Sequence, residues 1–206
     1  MSEEPLNGDY SHGQALRWTK WIGHLAGKPE LRFLEVGSYE GQSAIWFCRN
    51  ILTHPTSHLL CVDTWRGGED MPLETDDRRF TAFRNNTKPW AAQIDLMQER
   101  SDVALPILHI HPETFDVAYI DGSHTAASVL SDSVLVWNLV KVGGIIIWDD
   151  YLWELPVESY PTPLTPEQKE SANLIRPKMA VDAFLACYKG KYELIAQEWQ
   201  VALRKL

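Results

Sequence analysis

The sequence has little positive charge. Its 19 lysines and arginines are outnumbered by 28 aspartates and glutamates, which gives a formal net charge of −9, and the basic residues form no run. Proteins that bind nucleic acids usually present a basic face that displaces counterions from phosphates. We therefore predict that this protein has no nucleic-acid partner.

Long apolar stretches and a cysteine framework are also missing. No apolar run approaches the roughly 20 residues that span a bilayer, and residues 1–10 have neither the basic nor the apolar region of a signal peptide. The three cysteines, Cys48, Cys61 and Cys187, lie far apart among apolar residues. Such an odd, scattered set indicates buried thiols in a reducing compartment. These features predict a cytoplasmic protein without a membrane partner.

What the sequence does contain is a regular alternation of strand-like and helix-like segments. Its 206 residues, 45% of them hydrophobic, suit a single domain. The alternation predicts an α/β fold with a doubly wound (Rossmann-like), mostly parallel seven-stranded sheet and helices on both faces. The predicted strands are residues 32–37, 58–63, 94–98, 115–120 and 145–148, with two more between residues 192 and 203.

Two segments are predicted to lie outside the sheet. Residues 1–30 form an N-terminal cap with a helix over residues 14–25, and residues 152–177 form a long loop. Proline cannot donate a hydrogen bond to a helix or a sheet, and this loop contains Pro156, Pro161, Pro163 and Pro166. Because a loop of this length is more often functional than filler, we predict a substrate lid.

Four predicted strands end in an acidic residue: Glu35, Asp63, Asp121 and Asp149. The carboxyl ends of parallel strands form the ligand crevice of an open sheet. Any one of these acids could instead cap the helix that follows it. Their recurrence at the same relative position favours a binding site.

The loop after the first strand, EVGSYEGQS over residues 35–43, contains Gly37 and Gly41. Glycines let the backbone turn tightly and approach a ligand. A dinucleotide fingerprint requires G-x-G-x-x-G, and the spacing here differs from it. The loop therefore favours a ligand with one carboxylate and a ribose over a pyrophosphate, and Asp63 could accept hydrogen bonds from the ribose diol.

Four segments resemble the motifs of class I S-adenosylmethionine-dependent methyltransferases. They are LEVGSYEGQSA (34–44), CVDTW (61–65), DVAYIDGSH (116–124) and GGIIIWDDY (143–151). They are similar in particular to catechol-type O-methyltransferases and to the metal-dependent O-methyltransferases that modify bacterial sugars and macrolides. The resemblance covers residues 31–151 in order and register.

The resemblance implies roles for most residues of these motifs. Those assigned to the cofactor are Glu35, Gly37 and Gly41 around the methionine, Ser38, Tyr39 and Ser43 near its carboxylate, Asp63 on the ribose, Thr64 and Trp65 beside the adenine, Ser101 and Asp102 at the adenine edge, and Asp121. Residues 8–13 loosely resemble the segment that closes over the cofactor in this family.

The resemblance also implies a metal site and a base. Asp121, Asp149 and Asp150 would hold Mg²⁺, which prefers oxygen ligands; the catechol type has asparagine where Asp150 stands. His124, one helical turn beyond Asp121, would act as general base. The alternatives are a solvated acidic turn without metal and a histidine that bonds locally at a helix start.

Together these features predict an S-adenosylmethionine-dependent O-methyltransferase that acts on a hydroxyl of a small molecule or sugar, with Mg²⁺ and a histidine base. A metal-independent methyltransferase is the nearest alternative. An NAD-dependent oxidoreductase and a catalytically silent cofactor-binding module are further ones. A homo-oligomer is compatible with the resemblance, since many relatives are oligomers, but no residue pattern sets an oligomeric state.

Overall fold

The computed structural model describes residues 11–67, 76–110, 114–153 and 176–206. A seven-stranded sheet forms its centre. The strands are β1 (Arg32–Val36), β2 (His58–Asp63), β3 (Ile94–Gln98), β4 (Phe115–Ile120), β5 (Val140–Trp148), β6 (Tyr192–Gln197) and β7 (Val201–Lys205). Their order in the sheet is β3-β2-β1-β4-β5-β7-β6. Neighbours from β3 to β5 are parallel, whereas β7 is antiparallel to both β5 and β6. This confirms the predicted α/β class and the mostly parallel sheet.

Six α-helices lie within the described residues, together with two short 3₁₀ turns at Gly23–Leu25 and Lys88–Trp90. The helices are α1 (Ser11–Ile22), α2 (Gln42–Asn50), α3 (Arg78–Asn86), α4 (Ser101–Ile110), α5 (Ala126–Leu139) and α6 (Pro177–Cys187). Among these residues, no helix is both long enough and apolar enough to cross a bilayer.

The central strands β1, β2 and β4 and the second half of β5 are buried on both faces, which explains why they read as continuous apolar runs, whereas the edge strands β3 and β6 have no buried residue. Along β1, Leu34 packs in the cluster formed with α4, α5 and α6, whereas Phe33 packs in the cluster formed with α1, α2 and α3. Ile146 and Ile147 divide between the same two clusters. Successive strand side chains point to opposite faces, so both faces need apolar residues.

Strand β1 ends one residue earlier and β7 two residues later than predicted, and the largest difference is at the start of β5. We expected Gly143 and Gly144 to separate a helix from a strand beginning at residue 145, but β5 begins at Val140 and includes both glycines. The pairing with β4 shifts register here, as in a β-bulge. Gly143 has φ +84°, and a Cβ on Gly144 would lie 2.7 Å from Val140 Cγ1. The glycines therefore permit a bulge inside the strand.

Most of the predicted lid falls outside the described residues, since residues 154–175 are not described. Residues 1–10 are not described either, and they include the start of the predicted cap and half of the segment (residues 8–13) predicted to close over the cofactor. The division of the chain into cap, single domain and lid stays a prediction.

A buried acid, Asp132, lies behind the sheet edge that carries the predicted site. It is 2% exposed on α5, and the Ser101 hydroxyl at the start of α4 hydrogen-bonds to it. Its Oδ2 would lie 3.8 Å from a Cβ on Gly122, in the loop after β4. Burial raises the pKa of Asp132 from 3.8 to about 6, an effect that the Ser101 hydrogen bond partly opposes.

We expect Asp132→Asn to stabilise the protein at pH 8 by about 2 to 3 kcal/mol, because a shift of two pKa units corresponds to roughly that free energy. The folded-state pKa lies above the unfolded one. Protonated Asp132 therefore contributes stability below about pH 4, and this is lost as the pH rises through 6. Chemical unfolding at several pH values should show the variant and wild type converging near pH 4. A constant difference from pH 4 to pH 8 would contradict this.

Candidate active site

The carboxyl ends of β1, β2 and β5 are each followed by a residue in a rare backbone conformation. Tyr39, Trp65 and Asp150 have φ values of +45°, +52° and +54°. This left-handed region is unfavourable for bulky side chains and costs free energy that the surrounding structure must supply. Strained residues after three strands that end at one edge of the sheet mark this edge as a candidate site.

The first loop approaches the loop after β4 very closely at Gly37. A Cβ on Gly37 would lie 2.1 Å from the Asp121 carbonyl oxygen and 2.6 Å from Gly122 Cα, and Gly37 has φ +85°. Backbone hydrogen bonds from Gly37 N to Val62 O (2.9 Å) and from Asp121 N to Val36 O (2.8 Å) hold the loops in this position. Only glycine fits here.

We expect Gly37→Ala to lower the free energy of unfolding by about 3 to 5 kcal/mol, because the new methyl group overlaps backbone as well as straining φ. Gly143→Ala is the matched control. Its φ is +84° and a Cβ there meets nothing within 4 Å, so only the strain of about 1 to 2 kcal/mol applies. Urea unfolding compares the two variants. Equal losses would show that the close approach is unimportant.

Packing within the protein also requires a glycine at position 41. It has φ +90° as the N-cap of α2, and a Cβ there would lie 2.8 Å from Thr87 Cγ2 and 3.1 Å from Phe83 Cδ2. Gly41 therefore lets the start of α2 pack against the end of α3. The space around both predicted glycines is already filled by the protein's own atoms.

Glu35 is fully buried under the first loop and does not reach the crevice surface. Its Oε2 accepts hydrogen bonds from Ser38 Oγ (2.6 Å) and Cys61 Sγ (3.3 Å). Burial raises the pKa of Glu35 to about 6, an effect that hydrogen bonds from Ser38, Ser43 and Cys61 partly oppose. Glu35 thus orients two predicted cofactor residues, Ser38 and Ser43, from the buried side of the first loop.

Asp63 is bonded to the backbone of both neighbouring loops. Its Oδ2 accepts hydrogen bonds from Ser38 N (2.7 Å) and Tyr39 N (2.8 Å), and its Oδ1 accepts one from Trp65 N (2.6 Å). A carboxylate has about four acceptor positions, so three are used within the protein. Asp63 therefore fixes the two strained residues, Tyr39 and Trp65.

The residues predicted to contact the adenine lie in different environments. Trp65 is 0% exposed and packs between Phe80 and Phe83, each at a ring-centroid distance of 5.0 Å. A buried indole has no face left for a ligand, so its side chain acts in the core. Thr64 donates to Gly67 O (3.0 Å).

At the start of α4, the other two adenine residues already have protein partners. The Ser101 hydroxyl bonds to Asp132. Asp102 forms a bidentate ion pair with Arg100, with N···O distances of 2.9 and 2.7 Å. Contact between either side chain and an adenine stays a prediction.

Asp121, His124 and Asp150 form a compact cluster at the ends of β4 and β5. Each offers one ligand atom, and these atoms lie within 4.8 Å of one another. His124 Nε2 is 2.9 Å from Asp150 Oδ2, and the His124 ring packs on Trp153 at a centroid distance of 4.5 Å. The predicted base and two predicted metal ligands are therefore brought together.

Asp149 lies beside this cluster but faces other donors. Its Oδ2 accepts hydrogen bonds from Gln14 Nε2 (2.7 Å) and from the Tyr119 hydroxyl, and its Oδ1 accepts one from Asp150 N (2.8 Å). The Tyr119 hydroxyl also lies 3.1 Å from Asp121 Oδ2. Both Asp149 oxygens are thus engaged within the protein.

The buried carboxylates at this site repel one another. Burial raises the pKa of Asp121 well above its usual range, and the neighbouring Asp149 and Asp150 carboxylates raise it further. Burial and Asp150 raise the pKa of Asp149 in the same direction. The pKa of Tyr119 is raised by burial and by the three surrounding acids. A cation at this position would relieve this repulsion.

Three residues at this site were not singled out from the sequence: Gln14, Tyr119 and Trp153. Gln14 is 135 positions from the acid that it contacts, and no local pattern reveals such a pairing. Tyr119 occupies an ordinary apolar strand position. It lies two residues before Asp121, and side chains at that spacing point to the same face of the sheet, which is a signal that its hydroxyl lies near the acid. Trp153 follows the Asp149-Asp150 pair closely, which is the one available signal.

The chain matches known proteins in sequence. A family model described as a methyltransferase domain matches residues 34–151, more than half of the chain. Over 126 residues the chain is 28% identical to an uncharacterized protein of Acanthamoeba polyphaga mimivirus, a match that covers 60% of this chain and 53% of that protein. The chain thus spans about half the length of the curated relative that it matches.

Solved methyltransferase structures share the fold. An O-methyltransferase from Bacillus cereus in complex with S-adenosylhomocysteine (SAH) has a TM-score of 0.65 at 15% identity, over 97% of this chain and 84% of that one. An SAH-bound methyltransferase of Podospora anserina has a TM-score of 0.62 at 17% identity, over 94% and 78%. MycE methyltransferase from the mycinamycin biosynthetic pathway, in complex with Mg and SAH, has a TM-score of 0.60 at 14% identity, over 92% and 48%.

The match over residues 34–151 covers the four motifs and the strand ends described above, and the neighbours agree on the seven-stranded fold. The predicted family and enzyme class are confirmed at this level. The chain belongs to the methyltransferase-domain family and has the class I fold of enzymes that take their methyl group from S-adenosylmethionine.

Proposed function

We propose that this protein transfers the methyl group of S-adenosylmethionine to a hydroxyl oxygen of a small molecule or sugar. The observation that carries the proposal is the cluster of Asp121, His124 and Asp150, which adjoins the first loop through the packing of Gly37 on the Asp121 carbonyl. A methyl donor in the first loop would therefore lie next to groups able to bind and deprotonate a hydroxyl.

The donor side of the proposal rests on a loop that is rigidly held. Glu35 orients Ser38 from below, and Asp63 holds Ser38 and Tyr39 by their backbone N–H groups. A fixed loop reduces the entropy lost when a ligand is aligned. The neighbours from Bacillus cereus and Podospora anserina have SAH bound, which supports the same class of ligand here.

The donor set of the cluster fits a hard divalent cation such as Mg²⁺. Its carboxylates are partly or fully buried and repel one another, and oxygen ligands of this kind are those that Mg²⁺ prefers. Asp121 and Asp150 would hold the cation, with Asp149 beside them. When bound, a divalent cation supplies positive charge that lowers the pKa of an adjacent hydroxyl. The MycE structure contains Mg, in line with this assignment.

His124 is best suited to remove the proton. Its Nε2 lies beside Asp150, whose charge favours the imidazolium that forms. A hard cation takes oxygen before nitrogen, which leaves the imidazole for proton transfer. Trp153 packs on the ring and limits its rotation. We assign His124 as general base on these contacts.

The proposal is tested by incubating the protein with S-adenosylmethionine labelled in its methyl group and a panel of acceptors. The panel contains sugars, catechols and macrolides, with amine analogues in which the hydroxyl is replaced. We expect label transfer to hydroxylated acceptors only. Label on the amines alone, or hydride transfer from NADH with no methyl transfer, would contradict the proposal.

A further inference from the structure

Helix α1 contacts two residues that lie beside the cluster of Asp121, His124 and Asp150. Trp18, 1% exposed, packs its ring edge-to-face on Tyr119 at a centroid distance of 5.3 Å. Gln14, one helical turn earlier and therefore on the same face of the helix, donates from Nε2 to Asp149 Oδ2 at 2.7 Å. The helix thus supports the tyrosine through one residue and reaches the acid through the other.

The carboxylate of Asp149 is held from three parts of the chain. Gln14 on α1 and Tyr119 on β4 donate to Oδ2, and the Asp150 backbone N–H donates to Oδ1. Tyr119 has one proton for two carboxylates, since its hydroxyl also lies 3.1 Å from Asp121 Oδ2. Gln14 is therefore a side-chain donor that serves Asp149 without being shared with Asp121, and the Gln200 side chain is a further hydrogen-bonding neighbour of this carboxylate.

From these contacts we infer that Gln14 is a positioning residue of the metal site, and that it makes α1 part of that site by fixing the orientation of Asp149. This inference rests on the proposed function. Asp149 adjoins the two carboxylates that would hold the cation, and groups that orient the carboxylates of a metal site typically change metal affinity by ten- to a hundredfold when they are removed. Loss of Gln14 should therefore weaken metal binding even though Gln14 lies outside the cluster of Asp121, His124 and Asp150.

A purely structural role, in which Gln14 only fastens α1 to the domain, would instead predict a lower melting temperature and an unchanged metal affinity when Gln14 is replaced. The helix is already anchored by Trp18, Trp21 and Ile22, which are 1%, 4% and 0% exposed. Gln14 is only half-buried, so leucine can replace it without a large cavity. Its removal should leave the folded state largely intact and should act on the metal.

The test measures Mn²⁺ binding by calorimetry and electron paramagnetic resonance, with Mn²⁺ alone as the probe and no acceptor present. Gln14→Leu removes the donor at similar size. Thr19→Leu, an exposed and equally uncharged position on the same helix, is the matched control. Thermal unfolding without metal checks that each variant folds. Gln14→Asn, whose amide is one methylene too short to reach Asp149, is a second variant in case Gln14→Leu does not fold.

We expect Gln14→Leu and Gln14→Asn to weaken Mn²⁺ binding by at least tenfold, with wild-type affinity in Thr19→Leu and similar melting temperatures throughout. Wild-type Mn²⁺ affinity in both Gln14 variants would overturn this inference while leaving the proposed metal site in place. Absence of Mn²⁺ binding in the wild-type protein would overturn the proposed metal site and this inference with it.

Discussion

Replacing His124 with alanine is expected to lower the maximal rate of methyl transfer by about a hundredfold or more, the usual range for loss of a general base. The affinity for S-adenosylmethionine should stay nearly unchanged, because His124 contacts Asp150 and Trp153 and lies outside the first loop. Steady-state kinetics with a hydroxylated acceptor and calorimetry with the methyl donor measure the two effects separately.

His24→Ala is the matched control, because His24 is exposed on the 3₁₀ turn after α1. Its rate should equal that of the wild type. Added imidazole should restore part of the rate of His124→Ala, since a free base can enter the space left by the side chain. A wild-type rate in His124→Ala would remove the histidine from the mechanism, and weak donor binding would assign it to the cofactor pocket instead.

Removal of divalent metal is expected to abolish turnover while leaving S-adenosylmethionine binding largely intact. The carboxylates of Asp121, Asp149 and Asp150 concentrate negative charge at one place, and a cation there would offset it. After chelation and dialysis, Mg²⁺ should restore activity. Ca²⁺ should restore little, because its longer bonds and looser geometry misplace the acceptor oxygen. Full activity in excess chelator would favour the metal-independent alternative.

Two substitutions of Asp150 sharpen this prediction. Asp150 has φ +54°, a conformation that asparagine tolerates better than most residues. Asp150→Asn keeps one oxygen ligand, so its activity should recover at raised Mg²⁺ concentration. Asp150→Ala removes the ligand and adds backbone strain, so added Mg²⁺ should not rescue it. Equal behaviour of the two variants would show that Asp150 acts only through its backbone.

Much of the fold could be predicted because the central strands are buried on both faces. Strands β2 and β4 have the bounds that their apolar runs indicated, and β3 also has its predicted bounds although it contains no buried residue. The edge of the site followed from the acids at the strand ends, since parallel strands finish at one side of the sheet. Strand β5 was predicted too short because two adjacent glycines indicate a chain break, and only the pairing with β4 shows that they form a bulge.

The side-chain geometry of the site was harder to predict, because it depends on contacts that are distant in sequence. Asp63 occupies the predicted strand end, yet three backbone N–H groups use most of its acceptors. Trp65 follows it in the motif but packs between two phenylalanines of α3. Asp149 accepts a hydrogen bond from Gln14, which is 135 positions away in sequence. A motif specifies which residues reach the site, whereas packing decides which atoms face it.

Calorimetric titration of the purified protein with S-adenosylmethionine tests the central claim most directly. The account predicts a dissociation constant in the micromolar range, which corresponds to a binding free energy of about 7 to 8 kcal/mol in favour of the complex. SAH should bind with comparable affinity and NAD should not bind. Weaker binding in Asp63→Ala should follow from the loss of the bonds that hold Ser38 and Tyr39. Absence of any binding of S-adenosylmethionine at saturating concentration, or tighter binding of NAD, would contradict the account.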